Sequence, residues 1–324
     1  MKKTLILAFA LSILTIFSGK NLNAQTYEDA GNAFNAALEL SKTNMAGAVV
    51  KMQDVLKMCT ALGTEGDTLK MKVASVLPVW QYNVGNNFIK DKKYDQAIAA
   101  YEKSRDMAVT YSDDNIKAKS ESILAKLYAV KGNNLVKAQK YDDAITYFEK
   151  ALKSDPGYSK AYYANALAYK KKGDDVKMQE NMDLAIAAAV KENDTVTAQA
   201  AKSAVASSLY INGAAAFKKK SYTETVVKLN SSLAYDTTNK EVYYLLAVSY
   251  NNLKKHDEAI AAADAGLKLE EQTNLKMARF YYEIAKAYEG KQDTQNACIN
   301  YKKAAFGTYV QSANYQMKTV LKCQ

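Results

Sequence analysis

Few residues of this 324-residue chain are of types that carry out chemistry. His256 is the one histidine, so no pair of imidazoles can share a metal. No His/carboxylate cluster has metal-ligand spacing, no glycine-rich loop is built to cradle phosphate, and no Ser/His/Asp set is brought together by the helical register described below. The three cysteines, Cys59, Cys298 and Cys323, are spaced as in no metal site. Asp/Lys pairs along the helical segments read as solvated faces supported by i,i+4 attraction. The expectation is a chain that is no enzyme, with no catalytic residue, metal or cofactor.

The first residues carry an address. Met1-Lys2-Lys3 is basic, residues 4–17 are almost wholly apolar, and Asn21-Leu22-Asn23-Ala24 ends on a small residue before Gln25. That order predicts a secretory signal peptide over residues 1–24, cleaved after Ala24. The apolar run is shorter than the roughly 20 residues a bilayer span needs, and no later stretch is a candidate span. The mature chain is therefore expected to be exported, periplasmic or extracellular, with no membrane span. Losing Lys2, Lys3 and Lys20 lowers the net charge from +10 to +7. The surplus is spread along the chain, so no nucleic acid is expected as partner, while attraction to acidic envelope partners fits.

The elements are announced by a repeated phrase. Tyr94-Asp95-Gln96-Ala97-Ile98-Ala99-Ala100-Tyr101-Glu102-Lys103 returns as Tyr141-Asp142-Asp143-Ala144-Ile145-Thr146-Tyr147-Phe148-Glu149-Lys150, and again at His256-Asp257-Glu258-Ala259-Ile260. Repetition at such a period means stacked helical hairpins, none of which can bury its apolar face alone. His256 stands where Tyr94, Tyr141 and Tyr222 stand in the sister copies, a helix-start packing place.

Read in register, the copies resemble the tetratricopeptide repeat, a unit of about 34 residues. From Ala125, the residues Tyr128, Gly132, Leu135, Ala144, Phe148, Ala151 and Pro156 fall at positions 4, 8, 11, 20, 24, 27 and 32. Further copies start near Pro78, Ser159, Ala206, Lys240 and Ala278, with a divergent hairpin over residues 25–66. Starts at 78 and 125, and at 159 and 206, are 47 apart, which predicts lengthened helices about the polar turns near Asp113 and Asp194, with Asp113 and either Asp194 or Thr195 as N-caps. The resemblance implies an all-α, right-handed α-solenoid over residues 67–308, closed by a capping helix over 309–324. If that last helix folds back about Tyr309 or Val310, Cys298 and Cys323 fall at similar heights and can form a disulfide; buried free thiols are the alternative.

The resemblance also implies where function sits. Position 5 of each first helix faces the concave groove in the family, and here it holds Tyr82, Ala129, Tyr163, Tyr210, Tyr244 and Tyr282, with Asn83, Asn86 and Asn133 nearby. Such a strip suits a protein or peptide partner, and equally a glycan or cell-wall polymer stacked on aromatic rings. The same tyrosines can instead simply pack between neighbouring first helices. Some members clamp a C-terminal carboxylate with Lys, Asn and Arg; Asn86, Asn133, Lys126 and Lys160 resemble parts of that set, but Tyr82 and Ala164 stand where basic residues belong. A non-enzymatic interaction scaffold is the resulting expectation.

Overall fold

The computed structural model describes residues 26–323, so the leader lies outside the described residues. Fifteen α-helices and no strand are found among them. The described chain divides into two compact units, one ending at Leu124 and the other beginning at Ala125, within a single helix.

The first unit pairs α1 (Tyr27–Ser41) with α2 (Met45–Ala61), a short 3-10 turn (Gly63–Gly66) follows, and α3 (Asp67–Lys90) packs on α4 (Tyr94–Thr110). Thr26 and Asp29 form a reciprocal capping box at the start of α1. α3 does not begin near Pro78, as the repeat register predicts, but runs through it. The Ser104 hydroxyl on α4 donates to the Pro78 carbonyl at 2.8 Å, a bond that ties the two helices together. Ser112 takes the left-handed conformation after α4, and the Asp113 carboxylate then accepts the Ile116 N–H at 3.0 Å, capping α5 (Asp114–Lys137).

The second unit continues from the latter part of α5 through α6 (Tyr141–Ser154), α7 (Ser159–Lys172), α8 (Asp175–Glu192), α9 (Thr195–Lys218), α10 (Tyr222–Leu233), α11 (Lys240–Asn252), α12 (His256–Leu269), α13 (Asn274–Gly290) and α14 (Thr294–Ala304). Each helix from α6 packs on the next, and first helices also meet first helices, α7 with α9, α9 with α11 and α11 with α13. The 47-residue spacings are accounted for by longer helices at both joints, α4 and α5 at 17 and 24 residues and α8 and α9 at 18 and 24, against 14 each for α6 and α7. At the second joint Asn193 is left-handed and Asp194 caps α9 through the Thr197 N–H at 3.0 Å and hydroxyl at 2.8 Å.

Small and large residues pair as the register requires. The Phe148 ring lies so close to Gly132 that a Cβ there would stand 2.6 Å from it, and Leu229 meets Gly213 likewise. Ala144, Ala151, Ala166, Ala185, Ala247, Ala259 and Ala285 are fully buried. These methyl-sized contacts let helices approach while the aromatic partner fills the space.

The capping helix expected over residues 309–324 is present but shorter, spanning residues 310–320, and its hydrogen bonding changes part-way. After a 3-10 turn (Gly307–Tyr309), α15 (Val310–Tyr315) lasts six residues and gives way to a π-turn (Gln316–Val320), closed by the bond from the Leu321 N–H to the Gln316 carbonyl. Cys323 then forms a disulfide with Cys298 on α14, their Cα atoms 5.8 Å apart, and Cys59 is a buried free thiol.

Candidate functional site

The predicted surface residues fall in both units. Tyr82, Asn83 and Asn86 lie on α3 in the first; Ala129, Asn133, Tyr163, Tyr210, Tyr244 and Tyr282 lie in the second. In the first unit the residues engage one another and the neighbouring helix. The Tyr101 hydroxyl donates to Asn86 at 2.7 Å, the Asn86 amide donates to Asn83 at 3.2 Å, and Tyr82 sets its edge against the Tyr101 ring at 5.3 Å. Burial, with Tyr82 adding to it, pushes the Tyr101 phenol up to about 12.

In the second unit Ala129 is buried and Asn133 is exposed, while the four tyrosines are half-buried along the first helices. Tyr163 leans on the cluster containing Ala166, Val205 and Leu209, and Tyr210 on Leu229, Val242 and Leu246. Each thus spans from its own hairpin toward the next, and part of each ring remains open. Neither hydroxyl has a hydrogen-bond partner among the described residues. Tyr244 and Tyr282 are more closely held. Tyr244 sets its edge against Phe280 at 5.9 Å, and Tyr282 against Tyr301 at 5.4 Å. Both also meet Tyr309 from the C-terminal segment, Tyr244 hydroxyl to hydroxyl at 3.3 Å and Tyr282 ring to ring at 5.0 Å. Packing and display therefore coexist in the same side chains.

Beside Tyr244 lies an open depression of about 470 Å³ lined by Lys240, Glu241, Glu270, Leu275, Arg279 and Tyr309, among others. Arg279 grips Glu241 with both terminal nitrogens at 2.8 Å and adds a bond to Glu270 at 2.8 Å. Lys240 donates to the other Glu270 oxygen at 2.6 Å. The Glu270 side chain is 2% exposed. Burial pushes its carboxyl up, but bonds from Lys240, the Glu271 N–H and Arg279 outweigh that and hold it below the usual carboxylate range. The guanidinium also covers the Tyr244 ring at 5.0 Å. Sequence reasoning missed this cluster. Its one signal was that Arg279 is one of two arginines among 44 basic residues, and arginine is the side chain for two-pronged carboxylate recognition.

The remaining candidates are placed as follows. The His256 ring packs on Gly290, where a Cβ would stand 2.2 Å away. Lys160 pairs with Asp194 at 3.6 Å and Asn86 is engaged by Tyr101, so neither is free for a carboxylate clamp. Among the described residues, no group of side chains is placed to hold a metal ion and no helix is long and apolar enough to cross a membrane.

Three stretches of the chain match models of the tetratricopeptide repeat: residues 125–158, 240–273 and 278–305. No curated protein matches the chain. Solved structures that resemble it include the MamA protein, at 22% identity over 61% of this chain and 96% of that one, with a TM-score of 0.33. YrrB, described as a repeat protein of this type with an unusual peptide-binding site, is 18% identical over 65% of this chain and 94% of its own, with a TM-score of 0.33. A tetratricopeptide repeat protein from Parabacteroides merdae is 13% identical over 92% of this chain and 100% of its own, with a TM-score of 0.30. Likeness at that level carries no argument about function.

Proposed function

We propose that this chain, a tetratricopeptide-repeat protein, is a non-enzymatic scaffold that binds a protein segment along the first helices of its second unit. The observation that carries the reading is the row Tyr163, Tyr210, Tyr244 and Tyr282: the same residue type at the same place in four hairpins, half-buried each time. A core position would be closed to solvent, and a surface with no task would not repeat a large aromatic ring. Tyrosine held by packing on one side offers rigid contact area and a hydroxyl at little entropic cost on binding.

At its Tyr244–Tyr282 end this surface suits a peptide better than a polysaccharide. Sugar rings stack on open aromatic faces, whereas Arg279 covers the Tyr244 ring and Tyr309 covers that of Tyr282. The charged wall made by Lys240, Glu241 and Arg279 offers groups that a peptide's amides and termini can meet. Export to the bacterial envelope, expected from the leader, belongs to the same proposal and would supply partners there.

The test is affinity capture from envelope extract with the mature chain, repeated with Tyr163→Ala and Tyr244→Ala combined. One defined protein should be recovered by the parent and lost with the variant at unchanged helicity. Equal recovery by both would overturn the reading. Retention on insoluble cell-wall polysaccharide that the same substitutions remove would put the glycan reading in its place.

A further inference from the structure

The tyrosine row is open at one end and occupied at the other, and the occupant is the chain's own C-terminal segment. Tyr309 reaches back to the Tyr244 hydroxyl at 3.3 Å and lies on the Tyr282 ring at 5.0 Å. The turn that delivers it passes through Gly307, left-handed at φ +55° and packed against the Leu275 side chain. Tyr163 and Tyr210 meet no such segment.

The occupying segment is held by few fully buried apolar contacts. α15 is six residues long, too short to persist as an independent helix. Ala313 is its one buried apolar residue, packed with Ala285, Ala297, Tyr301 and Ala304; Met317 and Leu321 rest half-buried on the same cluster, while Val310, Tyr315 and Val320 are 38%, 59% and 47% exposed. What fastens the far end is the covalent link from Cys323 to Cys298 on α14. Both cysteines are half-buried rather than enclosed.

We propose that residues 306–323 are an intramolecular stand-in for the partner at the Tyr244–Tyr282 end of the row, and that the Cys298–Cys323 disulfide is the latch that keeps them seated. This rests on the tyrosine row being the binding surface. A dithiol reductant opens the latch. Its thiolate attacks one of the two sulfurs to give a mixed disulfide, and its second thiolate resolves that bond. Two protein thiols and one oxidised dithiol result, two electrons and two protons having passed to the protein. The released segment no longer has its ends fixed, and Tyr244 and Tyr282 become available to an external segment. The chemistry of the stand-in defines that segment: a tyrosine preceded by small residues, as in Gly307-Thr308-Tyr309.

Hydrogen exchange of the mature full-length chain, read before and after treatment with a dithiol, tests the latch. The amides of residues 309–321 should exchange at least about tenfold faster after reduction, with α11 to α13 unchanged and protection restored on reoxidation. The Cys298→Ser and Cys323→Ser double variant should behave as the reduced chain does. Equal protection in the oxidised, reduced and double-serine forms would overturn the proposal. A second arm keeps the two claims apart, using a fluorescent synthetic peptide of residues 306–320 added to the double-serine chain that also carries Tyr309→Ala. Binding about tenfold tighter than to the oxidised parent supports both claims. Fast exchange without peptide binding retains the latch and removes the tyrosine row as the partner's surface.

Discussion

Arg279 organises more of the second unit than any other single side chain named here. It grips Glu241 with two nitrogens, reaches Glu270 and covers Tyr244. Removing it leaves the Glu270 carboxylate in a place that is 2% exposed with Lys240 as its one remaining cation. Arg279→Ala should therefore cost about 3 kcal/mol in urea denaturation, and Glu270→Gln in the same background should restore part of it. A loss below about 0.5 kcal/mol would show the cluster to be a surface decoration. The buried phenols give a second prediction at this scale. Burial raises the folded-state values of Tyr101, Tyr244 and Tyr301 above the ordinary 10, that of Tyr101 to about 12, so the protonated form belongs to the folded state. Their stabilisation is fully present below pH 10 and falls as pH rises above it, the share from Tyr101 being lost as pH rises through 12. Urea midpoints should hold between pH 7 and 9 and fall above 10, less steeply in Tyr101→Phe; an unchanged slope in that variant would contradict the assignment.

At the scale of elements, the hairpins were largely legible because they rest on local rules. Small residues opposite large ones, as at Gly132 and Phe148, recur at fixed offsets, and Asp113 and Asp194 stand just ahead of an apolar periodic run. Replacing the second cap, Asp194→Ala, should cost about 1 kcal/mol of stability and speed hydrogen exchange in the first turn of α9; unaltered exchange there would mean that packing, and not the cap, fixes that end. What was not legible depended on partners distant in the chain. α3 runs through Pro78 and is tied to α4 by the Ser104 hydroxyl 26 residues away, a contact absent from any local window. Glu241 and Arg279 are 38 residues apart and both sit on ordinary helical faces until the hairpins stack. The terminal segment read as one amphipathic helix, yet its last turns widen into a π-turn before Cys323 reaches α14.

At the scale of the whole molecule, the residues predicted as one surface belong to two units, and the account of function rests on the second. There the repeat periodicity placed Tyr163, Tyr210, Tyr244 and Tyr282 correctly on successive first helices, because position within a repeat survives stacking. It did not foresee that packing and exposure would be shared by the same rings, nor that Tyr309 would return to the last two. The open part of this row is the surface proposed to contact a protein segment. The most direct measurement is site-specific photocrosslinking in living cells, with the photoreactive residue placed at Tyr163, at Tyr210 and, as control, at Val227 on α10, which is 59% exposed. Positions 163 and 210 should crosslink to neighbouring stretches of one partner protein, and position 227 should not. Crosslinks from 227 alone, or none from 163 and 210 in a folded chain, would contradict the proposal.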